Sequence, residues 1–326
     1  NIKSIGYHKP IMIAGGVGVI RNSHVNKNKL DHGDLIIVLG GPSYLIGLGG
    51  GAASSLSSGT SSENLDFASV QRDNPEIERR CQEVINQCVY LDKKSPIKSI
   101  HDIGAGGLCN AVPEIVNDSD RGADIMMSKI PLGEESMKPL EIWCNESQER
   151  YIIVINKEDL SIFDSISIRE NCPYAVIGKV TRKRSLVVYD LDNVTKIIDL
   201  PMNYLLGKPP IKPINIIGYD EKNYSNNHSY INFEKCVKSV LSLPSVSDKG
   251  FLITIGDRSV TGLVARDQMV GANQVPVSNV GITMSNIGST SGQVITMGER
   301  PSIAITNPEA SAEIAFGEVI TNIACS

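Results

Sequence analysis

The sequence lacks the features that mark several classes of protein. Phe, Trp and Tyr make up only 5% of its 326 residues, which disfavours the stacking platforms that bind single-stranded nucleic acid. The net charge is −5, so neither a general nucleic-acid surface nor a basic membrane patch is expected. No apolar run reaches the length of a membrane span, and no apolar leader opens the chain. These absences predict a cytoplasmic protein that contacts neither nucleic acid nor a membrane.

Two familiar site motifs are also missing. The seven cysteines have no CxxC spacing, which argues against a zinc site and favours scattered, buried thiols in a reducing compartment. There is no GxxxxGK[ST] phosphate loop. The run Gly47–Ala52 does match GxGxxA, but several residues, including Pro42, separate it from the strand at Leu35–Leu39. A dinucleotide fingerprint is therefore disfavoured, and a loop that wraps phosphate with its amides is the better interpretation.

The pattern of apolar runs and turn residues predicts an α+β or α/β chain with more than one domain. Residues 1–30 read as the end of an upstream element, and residues 31–210 as a domain of average size. Residues 211–248 follow Pro209-Pro210, contain the polar run Asn223–Asn227 and read as a linker. A new domain begins near residue 249 with a predicted strand at Phe251–Ile255. It is expected to be incomplete at residue 326.

The most informative stretch is His101–Leu108, which is rich in glycine. A strand-like run, Ile97–Ile100, precedes it, and a helix-like run, Leu108–Asn117, follows it. A helix N-terminus offers unpaired amides to an anion, while the carboxylate of Asp102 can hold a divalent cation. The alternative is that Asp102 is an ordinary helix cap. The adjacent glycines favour the ligand site, because such a turn is costly to order.

A second polar segment, Asn145–Arg150, runs directly into a predicted strand at Tyr151–Ile155. If the segment is extended, Glu146 and Gln148 point to one side and Ser147 to the other. The segment is then either a ligand-binding run at the mouth of the strand or a solvated strand edge. Together with Asp102, it suggests a substrate that carries phosphate and is bound with Mg²⁺.

The second predicted domain offers weaker candidates. Glu318 and Asn322 are four residues apart on a helix predicted over residues 311–324, so both oxygens share a face and could bind Mg²⁺. Such pairs are more often surface decoration. Lys249, just before the predicted strand, could meet a phosphate, although a lone lysine in a linker is usually solvated.

Several long segments resemble the large, single-chain phosphoribosylformylglycinamidine synthase family of purine biosynthesis. The resemblance covers nearly the whole chain except residues 207–247, and the family's chain is much longer, so it implies an internal fragment. The segments that carry it are Gly6–Met12, Gly47–Ser55, Leu65–Pro75, His101–Leu108, Pro139–Tyr151, Ile255–Gln274 and Gly317–Ala324.

The resemblance implies both a fold and a reaction. The fold is that of the two-part module of aminoimidazole ribonucleotide synthetase. Residues 1–30 correspond to the end of a first N-terminal-type half-module, residues 31–210 to the first C-terminal-type half-module, and residues 249–326 to the start of a second N-terminal-type half-module. The reaction is a ligation in which ATP phosphorylates the amide oxygen of formylglycinamide ribonucleotide. Ammonia made from glutamine by a glutaminase domain outside this chain then forms the amidine.

The resemblance also assigns roles residue by residue. The ribonucleotide contacts would come from Gln71, Glu146, Ser147 and Gln148, and nucleotide would lie near Lys249 and Ser278. Mg²⁺ would be bound by Asp102 and, in the second half-module, by Asn279, Glu318 and Asn322. Asn279 stands where the family pattern has an Asp, and an amide oxygen coordinates without charge.

The family's upstream ATP-binding half and downstream glutaminase are expected to lie outside this chain. No catalytic residue is therefore assigned, and the chain alone is expected to be inactive. The alternative function is a non-catalytic scaffold that binds nucleotide or phosphate.

Overall fold

The computed structural model describes residues 15–48, 74–208, 210–213, 232–243, 246–255, 262–275 and 277–326. Two compact units are present, one of which spans Ala14–Ile211 and the other of which includes Lys212–Ser326. Gln71 and most of the loop that follows Gly47 lie outside the described residues, as do several of the segments that carry the family resemblance.

The first unit is built on a mixed sheet of seven strands in the order β2-β4-β1-β5-β3-β6-β7. Neighbouring strands are antiparallel except β3 and β6, which are parallel. The strands are β1 (Leu35–Gly40), β2 (Ile97–Asp102), β3 (Gly122–Met126), β4 (Arg150–Ile155), β5 (Tyr174–Thr181), β6 (Ser185–Tyr189) and β7 (Lys196–Pro201).

Helices cover both faces of this sheet, and a hydrophobic core lies between the helices and the sheet on each face. Successive residues of β1 point alternately into these two cores. Ile36 and Val38 belong to the core on the side of α2, whereas Ile37 and Leu39 belong to the core under α1 and α4. The predicted mixed α and β architecture is confirmed. The helices of this unit are α1 (Pro75–Tyr90), α2 (Leu108–Asn117), α3 (Pro139–Cys144), α4 (Leu160–Arg169) and α5 (Met202–Leu205).

The start of α1 follows from its capping residues. The Oδ1 atom of Asn74 accepts a hydrogen bond from the amide of Ile77 at 3.2 Å, and Pro75 occupies the first turn, where its missing N–H costs nothing. Cys81, Val84 and Cys88 then fall on one buried face. Burial raises the pKa of the Cys88 thiol to about 12, so this cysteine is an inert core residue.

Replacing Asn74 by alanine is expected to lower the free energy of unfolding by about 1 kcal/mol, because one amide of the first turn loses its acceptor. Urea unfolding of the purified chain measures this loss. Asn74→Ser keeps an acceptor oxygen at the cap and serves as the matched control, with a loss near zero. Equal losses in the two variants would show that the cap does not stabilise α1.

The second unit contains a three-stranded antiparallel sheet in the order β10-β9-β8, and α9 contacts β10. Several large apolar side chains of this unit are exposed, among them Phe251 and Phe316. The elements are α6 (Phe233–Leu241), α7 (Gly250–Ile255), β8 (Val264–Arg266), β9 (Val280–Met284), β10 (Gly292–Thr296), α8 (Pro301–Ala304) and α9 (Pro308–Ala324).

The strand predicted at Phe251–Ile255 is wrong, since these residues belong to α7. A short apolar run cannot by itself distinguish a strand from a buried helical turn. Local hydrogen bonds favour the helix here: the carboxylate of Asp248 accepts from the amide of Gly250 at 3.2 Å, and the carbonyl of Lys249 accepts from the amide of Leu252 at 2.9 Å. None of the helices in the described ranges is long and apolar enough to cross a membrane.

Candidate functional site

The candidate site is built around the turn that joins β2 to α2. Asp102 is the last residue of β2, and Leu108 is the first of α2. Gly106 and Gly107 have φ of +80° and +63°, a region that favours glycine. A Cβ on Gly107 would lie 2.2 Å from the carbonyl oxygen of Asn145. Glycine is therefore required at Gly106 and Gly107 for the backbone conformation, and at Gly107 also because the turn lies close to the segment before β4.

That segment supplies an anion to the turn. The carboxylate of Glu146 accepts a hydrogen bond from the amide of Gly106 at 2.7 Å. The amide of Glu146 donates to the carbonyl of Ile46 at 2.8 Å, and a Cβ on Gly47 would lie 2.4 Å from the Glu146 Cβ. Three segments distant in sequence thus meet beside the start of α2. The anion that the turn holds in this structure is a carboxylate of the chain itself.

Glu146, Ser147 and Gln148 alternate between the surface and the interior, as the sequence predicts. Ser147 is buried, whereas Glu146 and Gln148 are partly exposed. The Ser147 hydroxyl donates to Oδ1 of Asn145 at 2.8 Å and accepts from the amide of Tyr44 at 2.9 Å. Nε2 of Gln148 donates to the carbonyl of Glu146 at 3.0 Å. Ser147 therefore supports the segment from inside, and the two flanking side chains reach the surface.

Asp102 lies at the edge of a groove with a volume of about 540 Å³ on the α1 side of the sheet. Its side chain is 76% exposed, so the carboxylate is open to a ligand. A Cβ on Gly104 would come within 3.1 Å of Oδ2 of Asp102, which places the carboxylate against the same turn that Glu146 touches. The groove is lined by Glu78, Gln82, Ile85, Ile100, His101, Asp102 and Tyr151.

His101 is a polar residue of this region to which the sequence assigns no role. Its Nε2 lies 2.8 Å from a carboxylate oxygen of Glu114 on α2, and its Nδ1 lies 2.7 Å from the carbonyl oxygen of Asp102. The imidazole therefore connects α2 to the end of β2. In the sequence, the adjacent His101 and Asp102 at a strand end are the signal that marks this histidine. Its partner Glu114 is identified only when α2 is packed on the sheet.

Asp102 fits a magnesium ion in one respect. Mg²⁺ usually keeps several waters and takes one or two carboxylates together with the phosphates of its substrate, so an exposed carboxylate beside a glycine-rich turn is suitable. In the described ranges, no cluster of three or more His, Cys, Asp and Glu side chains is placed to hold a metal without such a substrate.

The second unit places Glu318 and Asn322 on one face of α9. Both are partly buried together with Ala315 and Val319, while most of their helical neighbours are exposed. The Glu318 carboxylate lies 2.7 Å from Nη1 of Arg300 and accepts from the amide of Glu299 at 3.3 Å. As these side chains stand, the carboxylate is paired with a cation, so a divalent metal would have to displace Arg300 to bind there.

The other predicted residues of this unit are placed as follows. The backbone carbonyl of Asn279 accepts from the Thr296 hydroxyl at 2.8 Å, and its side chain is exposed at the start of β9. Ser278 is bonded through its amide to the carbonyl of Gln268 at 2.6 Å. The Lys249 ammonium donates to the carbonyl of Ser247. These contacts are all within the chain and do not test the predicted nucleotide-binding and metal-binding roles, which stay predictions.

Comparison with known proteins finds two family matches. Residues 31–190 match the family described as AIR synthase related protein, C-terminal domain, and residues 248–326 match the FGAR-AT PurM_N-like domain. The first match contains Asp102, the glycine turn and the Glu146–Gln148 segment. The second contains all five residues predicted for the second unit, namely Lys249, Ser278, Asn279, Glu318 and Asn322.

Solved structures from Thermotoga maritima share the fold. PurL complexed with FGAR has a TM-score of 0.64 at 19% identity over 94% of this chain and 46% of that chain. The structure of PurLQS gives a TM-score of 0.60 at 19% identity over 94% and 44%, and PurL complexed with ATP gives 0.56 at 19% over 91% and 42%. This chain therefore spans less than half the length of the proteins that it resembles.

Proposed function

We propose that this chain, a member of the phosphoribosylformylglycinamidine synthase family, forms the substrate side of an ATP-dependent ligase. In the proposed reaction, formylglycinamide ribonucleotide, ATP, glutamine and water give the amidine, ADP, phosphate and glutamate. The observation that carries the proposal is the contact of the Glu146–Gln148 segment with the Gly104–Gly107 turn, which directly follows Asp102 at the end of β2. All three lie in the stretch that matches the AIR synthase related domain.

The geometry suggests what each group does. The carboxylate of Glu146 is suited to accept hydrogen bonds from the hydroxyl or N–H groups of a ribonucleotide, because it would repel a phosphate placed directly against it. The amide side chain of Gln148 can donate and accept beside it. Gln71 is proposed to complete the contacts, although it lies outside the described residues.

Asp102 would hold Mg²⁺, which would offset the negative charge that develops as phosphate is transferred to the amide oxygen of the substrate. The exposed carboxylate of Asp102 and the turn amides beside it are both fixed by the end of β2. The chain's own contribution is thus to orient the ribonucleotide. We propose that ATP-binding elements and a glutaminase that delivers ammonia are supplied by other parts of the protein.

A second candidate function is favoured by the ion pair between Arg300 and Glu318. With its carboxylate engaged, the second unit would act as a scaffold that contacts nucleotide or phosphate without a metal. Titration with Mg-ATP and with ATP in EDTA distinguishes the two. A strictly magnesium-dependent affinity supports the metal site proposed for Asn279, Glu318 and Asn322, whereas equal affinities support the scaffold.

The purified chain is expected to bind formylglycinamide ribonucleotide, and Glu146→Gln is expected to weaken this affinity about tenfold, as loss of a charged hydrogen bond does. The substitution keeps an oxygen for the Gly106 amide, so the fold should be retained. Isothermal titration calorimetry measures both affinities.

The matched control is Glu158→Gln, which removes an exposed carboxylate just before α4. It should leave the affinity unchanged. An unaltered affinity in Glu146→Gln, or equal losses in both variants, would remove Glu146 from the proposed site.

A further inference from the structure

Arg150, the first residue of β4, is a buried cation with no role in the site described above. Only 2% of its surface is exposed. Nε donates to the carbonyl of Ser147 at 2.9 Å and Nη1 to the hydroxyl of Ser43 at 2.8 Å. Nη2 donates to the carbonyl and to Oδ1 of Asn145, at 3.1 and 2.8 Å. Every one of these acceptors is a neutral oxygen.

This arrangement is costly, which suggests that it serves a purpose. Taking a guanidinium out of water is unfavourable, and hydrogen bonds to neutral oxygens compensate less than a carboxylate does. Burial lowers the pKa of Arg150 to about 10, so the group is still protonated at neutral pH. A buried apolar residue would stabilise the core at lower cost, but it could not hold several polar segments at once.

The bonds of Arg150 join segments that are far apart in sequence. Ser43 follows β1, and its carbonyl accepts from the amide of Gly133 at 2.8 Å. Asn145 ends α3, and its Nδ2 donates to the carbonyl of Ile142 at 2.8 Å. Asn145 and Ser147 flank Glu146, the residue whose carboxylate meets the Gly106 amide. The guanidinium therefore fixes the backbone on both sides of Glu146.

We propose that Arg150 is a positioning residue that holds the Glu146–Gln148 segment against the glycine turn, so that the ribonucleotide meets a preformed site. This inference rests on the proposed function for the identity of the ligand, but the positioning itself can be tested without one. The planar fork of arginine is what the arrangement needs, because its donors reach Ser43, Asn145 and Ser147 in fixed directions.

The test compares Arg150→Lys and Arg150→Met with the unaltered chain by two readouts. The first is hydrogen exchange of the Gly106 amide, followed by NMR without ligand. The second is the affinity for formylglycinamide ribonucleotide by calorimetry. In Arg150→Lys, which keeps the charge but not the fork, we expect exchange at Gly106 to accelerate at least about tenfold and the affinity to fall about tenfold.

Arg121→Lys is the matched control, because Nε of Arg121 donates to the carbonyl of Leu30 at 2.9 Å, beyond the far end of α2. This variant should change neither readout at the site. If Arg150→Met does not fold, Arg150→Lys alone decides the question.

The outcomes separate the two proposals. A folded Arg150→Lys chain with unchanged exchange at Gly106 overturns the positioning role, whatever the ligand does. If exchange at Gly106 accelerates in Arg150→Lys but the unaltered chain does not bind the ribonucleotide, the positioning role is supported and the proposed function is contradicted. A rise in exchange of similar size at amides throughout the sheet, with no larger effect at Gly106, would mean that Arg150 only stabilises the core.

Discussion

Gly107→Ala is expected to lower the free energy of unfolding of the first unit by about 2–5 kcal/mol. Two costs add. The backbone at Gly107 has φ of +63° and ψ of −145°, which a residue with a side chain adopts only under strain. The new Cβ would also lie 2.2 Å from the Asn145 carbonyl oxygen, so α2 must move away from the segment before β4.

Urea unfolding measures this loss, and Gly33→Ala is its matched control. Gly33 has φ of +97°, but none of the described atoms beyond its chain neighbours lies within 4 Å of where its Cβ would stand. The control variant therefore carries the conformational cost without the clash. The difference between the two variants isolates the close approach of the turn to Asn145. Equal losses would contradict the close packing on which the site geometry depends.

Asp102→Asn in the full-length protein is expected to reduce turnover about 100-fold, which corresponds to about 3 kcal/mol of transition-state stabilisation. The charge that the carboxylate contributes to Mg²⁺ and phosphate is removed, while the shape of the side chain is kept. Because the Asp102 side chain is 76% exposed, folding should be unaffected. Steady-state measurement of ADP release, at saturating substrates and over a range of Mg²⁺ concentrations, gives the effect.

Asp118→Asn is the control for this prediction, since Asp118 is an exposed carboxylate that follows α2 and pairs with Lys27 at 2.9 Å. It should retain full turnover, because an exposed ion pair contributes little. A full-length Asp102→Asn protein with normal turnover and normal magnesium dependence would exclude Asp102 as a metal ligand.

Local sequence signals predicted the elements of the site well. The predicted helix Leu108–Asn117 is the observed α2, and the predicted strand Tyr151–Ile155 lies within the observed β4. These predictions succeed because caps, glycines and periodic apolar residues act over a few positions. The same reasoning failed at Phe251–Ile255, where a short apolar run carried no period and the hydrogen bonds of Asp248 and Lys249 favour a helix.

Contacts between distant segments were beyond local reasoning. The carboxylate of Glu146 meets the Gly106 amide only because β4 lies beside β2 in the sheet, although β2 and β4 are not consecutive strands. Arg150 reads from sequence as a charged residue at a strand start and is instead buried. Likewise, the spacing of Glu318 and Asn322 shows their shared face but not the ion pair with Arg300.

The central claim is that Asp102, the glycine turn and the Glu146–Gln148 segment form one site for formylglycinamide ribonucleotide. Titrating the ribonucleotide into the isotopically labelled chain, with assigned backbone amide NMR signals, tests it most directly. We predict that the largest shifts fall at residues 102–107 and 146–148, with Gly106 among them. Binding that shifts only amides elsewhere, or saturating ligand that shifts none of these, would contradict the claim.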